Sequence, residues 1–298
     1  MTSPPRILVA YKKSRYEQFI LDEGDPDVSE LIEAGHISVR SLMSSHEAHG
    51  RSLETLVTHL EESGLDFDLQ FRGDVESVQD YSLIVALGGD GTVLDLSHHV
   101  ATTPIVAINS DPHSSVGYFS AGTALEFPQI LEAILSREMA PTLLRRFHVR
   151  INDELIGPPV LNDILICHAN PAAVSSYFIK VGNHPTEAQK SSGIWVSTPA
   201  GSTAAIRSAG GLVIPFGTEN LQYLVREPYP PASGGYRFLK GIHHFEEHFE
   251  VTSRMREGRV FLDGPHLDFA LPIGTTLTID SGAPSLALFG LHEDRRTA

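Results

Sequence analysis

One stretch of the chain, residues 82–94, constrains the fold more than any other, and it reads S-L-I-V-A-L-G-G-D-G-T-V-L. Its apolar first half ends in two glycines, which predicts a strand buried on both faces, as in a parallel sheet. Thr92 is a favoured N-cap residue, and Asp95, three positions later, suits a first helical turn. The sequence therefore predicts a buried strand, a sharp turn, and a helix whose first N–H groups are unpaired.

The composition of this turn indicates a site for an anion. Gly88, Gly89 and Gly91 carry no side chain, so a phosphate group can approach their main-chain N–H groups closely. The carboxylate of Asp90 stands in the middle of the turn, where bound phosphates would require it to bind a metal ion or accept a proton. An ordinary Asp-Gly turn between a strand and a helix is the alternative interpretation at this point.

The overall composition limits the partners and the compartment. A chain of 298 residues with 41% hydrophobic content is expected to form two domains. A net charge of −15 argues against nucleic acid and anionic membrane as partners, so local loops must hold any polyanionic ligand. The single cysteine, Cys167, excludes an internal disulfide and suits a reducing compartment. With no long apolar run and no signal-peptide pattern, we expect a cytoplasmic protein.

The N-terminal half alternates between strand and helix patterns. Strands are predicted at residues 7–11, 67–71 and 104–109, and amphipathic helices at residues 51–63 and 127–135. This alternation predicts a parallel sheet with helices on both faces. A basic cluster, Lys12, Lys13 and Arg15, follows the first strand, at the edge where ligands of open α/β sheets bind. These residues either contact phosphates or belong to a solvated loop, and the sequence leaves both alternatives open.

The C-terminal half changes to short strands separated by turns, which predicts a β-sandwich or a similar sheet domain. The strand patterns cover residues 143–151, 160–168, 177–181, 194–198, 260–263, 267–271, 275–280 and 286–291. We place the domain boundary near Pro141, giving domains of residues 1–140 and 141–298. Whether the last strand returns to the first domain is left open by the sequence.

Two further polar segments of this half have the character of binding sites. Asn162 and Asp163 precede an apolar strand, and buried polar groups of this kind need partners such as ligand hydroxyls or ring nitrogens. A turn at the start of the strand explains the pair equally well. Residues 198–205, T-P-A-G-S-T-A-A, follow another apolar strand and resemble a helix N-terminus that presents hydroxyl and N–H groups to a ligand.

The segments G-G-D-G-T, L-N-D and T-P-A-G-S-T-A, in this order, resemble the motifs of the NAD kinases. The segments V-A-Y-K-K-S-R-Y-E, I-N-S-D-P-H-S-S-V-G-Y, E-A-Q-K-S-S-G and V-R-E-P are similar to the mitochondrial branch of that family. The resemblance covers most of the chain, from Val9 to about Gly264. It implies a Rossmann-like N-terminal parallel-sheet domain and a β-sandwich-like C-terminal domain, with the site in the cleft between them.

The resemblance also implies a reaction and its residues. The family transfers the γ-phosphoryl group of ATP to the 2′-hydroxyl of the adenosine ribose of NAD, with Mg²⁺ accompanying ATP, and forms homodimers or higher oligomers. Asp90 takes the place of the base or hydroxyl-orienting group. The remaining positions correspond to substrate contacts: Gly88, Gly89 and Gly91 at the phosphates, Thr92 in the same turn, Asn109 in the neighbouring loop, Asn162 and Asp163 at the adenosine end, Ser192 at the nicotinamide end, and Thr198, Ser202 and Thr203 around adenine and phosphate.

Two positions depart from the common family pattern. Ser192 stands where most relatives have Asp, and Ala205 where they have Tyr or Trp, so contacts on the nicotinamide side are expected to be weaker. The alternative functions are a lipid or sphingoid-base kinase, which shares the GGDGT turn, and a non-catalytic dinucleotide sensor. The L-N-D and T-P-A-G-S-T-A segments and the retained Asp90 favour an NAD kinase.

Overall fold

The computed structural model describes residues 5–231 and 234–297. The chain forms two compact units, one of residues up to Thr142 together with Ala287–Arg295, the other of Leu143–Leu286. The α-helices are α1 (Pro26–Glu33), α2 (Arg40–Ser63), α3 (Asp90–Ser97), α4 (Phe127–Leu135), α5 (Ala205–Ser208) and α6 (Asp294–Thr297). No helix among these residues combines the length and the apolar character required to cross a bilayer.

Nineteen strands form three sheets in the described residues. In chain order they are β1 (Arg6–Tyr11), β2 (Asp66–Phe71), β3 (Leu83–Gly88), β4 (Ile105–Asn109), β5 (Gly122–Thr123), β6 (Thr142–Leu144), β7 (Phe147–Ile151), β8 (Glu154–Val160), β9 (Asp163–His168), β10 (Ser175–Val181), β11 (Glu187–Ser191), β12 (Gly193–Ser197), β13 (Asn220–Arg226), β14 (Lys240–His244), β15 (Phe249–Ser253), β16 (Gly258–Leu262), β17 (Leu267–Ala270), β18 (Thr276–Asp280) and β19 (Leu286–Phe289).

The first sheet has the order β2-β1-β3-β4-β19-β6, with β5 paired to β4, and the registers of β1–β5 and β19 are parallel. Every residue of β3 and β4 is buried, because helices of an α/β unit cover both faces of such a sheet. The predicted parallel-sheet domain is therefore confirmed. The last strand, β19, lies in this sheet beside β4, which the sequence had left undecided.

The second unit consists of two antiparallel six-stranded sheets, ordered β11-β10-β15-β18-β7-β8 and β14-β13-β12-β9-β16-β17. Inward residues of both sheets form one apolar core, which contains Tyr177 and Phe249 from one sheet and Ile166 and Val196 from the other. This arrangement confirms the predicted sandwich-like class.

Several predicted element boundaries are wrong. The helix predicted from residue 51 begins at Arg40 as α2, and it ends as expected at Gly64, which has a left-handed φ of 68°. The strand predicted at residues 143–151 is interrupted between β6 and β7, where the buried guanidinium of Arg146 donates from Nε to the carbonyl oxygen of Pro284 (2.7 Å). The strand predicted at residues 160–168 is likewise interrupted, between β8 and β9.

The predicted N-cap at Thr92 is also wrong. Gly89 is the N-cap of α3, with an extended backbone (φ −111°, ψ −169°), so the chain passes from β3 into the helix through a single residue. Thr92 consequently lies in the first turn of α3 and is buried. The glycine at position 88 makes this short connection possible, because a side chain there would collide with the Thr92 hydroxyl.

Candidate active site

Asp90 is the first residue of α3, at the carboxyl end of the central strand β3. Its carboxylate is held by the loop that follows β4: Oδ2 accepts from the N–H of Tyr118 (3.0 Å) and Oδ1 from the N–H of Phe119 (2.9 Å). Burial raises the pKa of Asp90, and these two N–H groups and the charge of Arg295 act against that rise. The result is a fixed carboxylate that can accept a further hydrogen bond from a hydroxyl group.

The loop that holds Asp90 is itself fixed by Asn109 and Arg295. The Asn109 amide donates to the carbonyl oxygen of Ser115 (2.9 Å) and accepts from the N–H of Asp111 (3.1 Å). The guanidinium of Arg295 donates to the carbonyl oxygens of Ser120 (2.5 Å) and Gly117 (3.5 Å). Asn109 therefore supports the loop; its contact with substrate stays a prediction.

The basic cluster after β1 divides into three different environments. Lys13 forms an ion pair with Asp22 (Nζ to Oδ2, 2.8 Å), and Arg15 is exposed. Lys12 is partly buried beside the glycine turn, its Cδ 3.5 Å from where a Cβ on Gly88 would stand. Burial lowers the pKa of Lys12, as do the charges of Arg72 and Arg15, against the opposing carboxylate of Asp111. Of the three residues, Lys12 is the one placed to meet an anion at the turn.

Arg72 is a candidate residue that the sequence reasoning missed. It directly follows β2, and its guanidinium donates to the Thr92 hydroxyl (3.3 Å) and pairs with Asp95 (Nε to Oδ2, 3.4 Å). A Cβ on Gly91 would stand 3.8 Å from Nη1 of Arg72. Because parallel strands end at one edge of a sheet, a basic residue directly after the strand predicted at residues 67–71 is the signal that could have identified Arg72.

In the second unit, Asn162 lies in the turn between β8 and β9, and Asp163 follows it as the first residue of β9. Asp163 is 5% exposed, and neither its Oδ2 nor Oδ1 of Asn162 has a hydrogen-bond partner among the described residues. Burial, and to a smaller extent the neighbouring charge of Asp263, raises the pKa of Asp163 to about 8. The side chain is thus mainly neutral at pH 7 and can donate as well as accept a hydrogen bond. Buried polar atoms without partners are the feature expected of a site that binds a polar ligand.

The segment 198–205 is bonded to this turn through the hydroxyl group of Thr198, and the hydroxyl of Ser202 holds the segment itself in place. Thr198 Oγ1 donates to the carbonyl oxygen of Leu161 (2.5 Å), and the hydroxyl of Ser202 donates to the carbonyl oxygen of Pro199 (2.8 Å) and accepts from the N–H of Ile214 (2.9 Å). Both residues are fully buried, so they shape the site from within. Thr203, at the end of a 3-10 turn before α5, is partly exposed.

The two departures from the family pattern lie elsewhere on the second unit. Ser192 connects β11 to β12, and its N–H donates to the carbonyl oxygen of Arg226 (3.0 Å). It lines a recess together with His168, Arg226 and Glu227. Ala205 is exposed at the start of α5. The weaker contacts expected on the nicotinamide side of the ligand stay a prediction.

Comparison with protein families identifies the class. The family model described as the ATP-NAD kinase N-terminal domain matches residues 19–139, and that of the ATP-NAD kinase C-terminal domain matches residues 161–222. The chain is 35% identical over 260 residues to a probable NADH kinase of Oryza sativa subsp. japonica, covering 80% of each protein. The chain therefore belongs to the NAD kinase family, and it is a kinase.

Other relatives and solved structures agree with this assignment. An NADH kinase of Arabidopsis thaliana is 30% identical over 72% of this chain and 74% of its own length, and mitochondrial NAD kinase 2 of Rattus norvegicus is 26% identical over 67% and 59%. A yeast NADH kinase crystallised with NADH superposes with a TM-score of 0.70 at 17% identity, covering 99% of this chain and 86% of that one. An Archaeoglobus fulgidus NAD kinase in complex with ATP gives a TM-score of 0.66 at 20% identity, covering 98% and 96%. These two structures establish the fold.

Proposed function

We propose that this kinase transfers the γ-phosphoryl group of ATP to the 2′-hydroxyl of the adenosine ribose of NAD, forming NADP and ADP. The observation that carries the proposal is Asp90, a carboxylate pinned by two N–H groups in a glycine turn that a phosphate chain can approach. A ribose hydroxyl is a poor nucleophile, and a carboxylate in hydrogen-bond reach orients it and accepts its proton. The new bond joins the ribose oxygen to the γ-phosphorus while the bond to the β-phosphate oxygen breaks.

The other residues supply positioning and charge, which account for most of the catalysis of phosphoryl transfer. The N–H groups of Gly88, Gly89 and Gly91, with Lys12 and Arg72 beside them, receive the phosphates of the donor. In this proposal Mg²⁺ accompanies ATP and would be held chiefly by the phosphates of the nucleotide, where it offsets their charge.

The buried turn of Asn162 and Asp163 is proposed to bind the adenosine end of the dinucleotide. Its unpartnered oxygens, one on a mainly neutral carboxyl group, offer both a donor and acceptors to hydroxyls and ring nitrogens. Such a site discriminates strongly between ligands, because a ligand whose polar groups do not pair with these oxygens leaves buried polar atoms without hydrogen bonds. Thr203 and Ser192 are proposed as outer contacts, and the homodimer expected from the family remains a proposal for this chain.

NADH is the second candidate acceptor, because two of the most similar relatives are named NADH kinases. The two dinucleotides share the adenosine ribose and differ only in the nicotinamide ring. Acceptor choice thus depends on the nicotinamide side, where Ser192 and Ala205 replace larger or charged residues. The chain belongs to the NAD kinase family, and no observation favours the alternatives of a lipid kinase or a non-catalytic sensor.

The test is an assay of purified protein with ATP and Mg²⁺ and either NAD or NADH, in which NADP and NADPH are separated by chromatography. We expect one or both products, and Asp90→Asn should reduce kcat by about 10²–10⁴. The control is Asp80→Asn, which alters an exposed carboxylate of the same unit. Absence of both products from the wild type would reject the proposed function, and a normal kcat for Asp90→Asn would remove Asp90 from the mechanism.

A further inference from the structure

Asp263, directly after β16, makes an unusual set of contacts with the segment 161–163. One carboxylate accepts from three successive N–H groups: Oδ2 from Leu161 (2.8 Å), and Oδ1 from Asn162 (2.7 Å) and Asp163 (3.2 Å). The N–H of Asp263 in turn donates to the carbonyl oxygen of Asp163 (2.9 Å). Four hydrogen bonds therefore join this residue to the turn that carries the Asn162–Asp163 pair.

The geometry explains why a carboxylate is needed here. β16 and β9 are antiparallel, and their register begins with Leu262 opposite Ile164. The three N–H groups lie just before β9 or at its first residue, where this ladder offers them no acceptor. A single carboxylate satisfies all three, whereas an amide side chain would direct N–H groups toward some of these donors. Asp263 has a left-handed φ of 50°, which Asp tolerates better than most residues.

The charges around this contact come from three groups. Arg146 is fully buried, and burial lowers its pKa to about 10 against the opposing charge of Asp263. Asp163 has Asp263 as its charged neighbour, and that negative charge adds to the effect of burial. Arg146 thus compensates the carboxylate of Asp263, while Asp263 favours the neutral form of Asp163.

We infer that Asp263 is a positioning residue for dinucleotide binding, which fixes the Asn162–Asp163 turn through its four hydrogen bonds to the main chain of residues 161–163. The inference rests on the proposed function, since it assigns to Asp263 the support of the dinucleotide site. Asp263 itself bonds to the main chain of the turn and acts through Asn162 and Asp163.

The test compares Asp263→Asn and Asp263→Glu with the control Asp268→Asn, which lies on the same hairpin and is partly exposed in an ion pair with Arg259 (3.0 Å). Calorimetric titration with NAD and NADH should give a Kd raised about 10- to 100-fold for Asp263→Asn, the range expected when a charged partner of several donors is lost. The Kd of the control should be unchanged. The kcat at saturating dinucleotide should fall much less than the ratio kcat/KM, because the chemistry belongs to Asp90.

A pH series separates positioning from general destabilisation. Removing the negative charge of Asp263 lowers the pKa of Asp163, so the pH at which dinucleotide affinity declines should move to lower values in Asp263→Asn. A purely structural defect lowers the melting temperature and the fraction of active enzyme without moving that midpoint. If Asp263→Asn does not fold, Asp263→Glu, which keeps the charge, decides: a raised Kd with kcat largely retained supports the inference.

Two results would overturn the inference while leaving the proposed function intact. One is an unchanged Kd in the folded Asp263 variants, and the other is a raised Kd in Asp263→Asn whose pH midpoint coincides with that of the wild type. Failure of the proposed function is recognised separately, because the wild type would then neither bind NAD or NADH nor phosphorylate them, and the inference would fail with it.

Discussion

Two aspartates, the partly buried Asp90 in the first unit and the buried Asp163 in the second, differ in chemistry because their hydrogen-bond partners differ. Asp90 has an N–H donor for each carboxylate oxygen, which supports the ionised form that a base requires. Asp163 has an oxygen without a partner and a negatively charged neighbour, which support the neutral form. The same residue type is thus suited to accept a proton in one unit and to donate a hydrogen bond in the other.

The neutral form of Asp163 predicts a pH-dependent effect on stability. Its pKa rises from 3.8 in the unfolded chain to about 8 in the fold, so folding binds a proton between these values. This contribution is fully present below about pH 4 and is lost as the pH rises toward 8. Asp163→Asn, which needs no proton, should be the more stable protein at pH 7 by up to about 4 kcal/mol, because each pH unit above 3.8 adds about 1.4 kcal/mol.

Urea denaturation of both proteins at pH 5, 7 and 8.5 measures this difference in the free energy of unfolding. The advantage of Asp163→Asn should grow from pH 5 to 8.5, while its dinucleotide affinity should be lower than that of the wild type. A stability difference that does not vary with pH would show that Asp163 is ionised in the fold.

At the scale of single residues, the sequence predicted the groups that stand in a motif and missed those defined only by contacts. Asp90 and the Asn162–Asp163 pair are visible as polar residues at the ends of apolar strands. Asp263 looks like an ordinary Asp-Gly turn in sequence, because its three N–H partners lie about one hundred residues earlier. No pattern along one segment encodes such a contact.

At the scale of elements, the turn at residues 198–203 and the turn at residues 161–163 are packed main chain against main chain. A Cβ on Gly201 would collide with the backbone of Asn162, which cannot move away as a flexible side chain could. Gly201→Ala should therefore destabilise the protein by at least about 2 kcal/mol and weaken dinucleotide binding. Gly217→Ala is the matched control, since a Cβ there meets nothing within 4 Å. Thermal melts and NAD titrations that do not distinguish the two variants would contradict this packing.

The helix α6 affects the candidate base through the loop of residues 117–120. Arg295 binds two carbonyl oxygens of this loop, and its charge lowers the pKa of Asp90 against the effect of burial. Arg295→Gln should therefore raise the pKa of Asp90, so that kcat falls more at pH 6 than at pH 8. Rate profiles from pH 5 to 9 test this, with the exposed Arg6→Gln as the control. Superimposable profiles for Arg295→Gln and the wild type would exclude the electrostatic effect.

Element types were predicted best where the apolar pattern is clear, as in the continuous apolar runs of β3 and β4 and the amphipathic face of α4. The strands β11, β13, β14 and β15 were missed because polar and charged residues interrupt their apolar pattern, as Gln189 and Lys190 do in β11. The helix α2 begins earlier than expected because its first half carries Ser and His residues that face polar partners, such as Ser45 with Asp111 (2.6 Å) and His46 with Ser14 (2.8 Å). Tertiary contacts decide the structure at these positions.

At the scale of the whole molecule, the first unit is discontinuous in sequence. Its sheet takes β19 from the end of the chain, and the registers Leu288 opposite Ile105 and Phe289 opposite Val106 continue the parallel ladder beyond β4. Composition and periodicity predict that such a strand exists, but the choice between two sheets depends on which edge is open. That information lies in the three-dimensional arrangement and not in the strand itself.

The discontinuity makes a prediction about where a mutation near the C-terminus acts. Leu288 is fully buried in β19, so Leu288→Ala should cost about 2–5 kcal/mol, a large part of the net stability of a domain. Because β19 belongs to the first sheet, hydrogen exchange followed by mass spectrometry should show lost protection in β3 and β4, although these strands precede Leu288 by more than 170 residues. The change in β9 and β12 should be smaller. Leu143→Ala is the control, since that side chain is 63% exposed and should alter neither unit. Greater loss of protection in β9 and β12 than in β3 and β4 would mean that residues 287–295 stabilise the second unit instead.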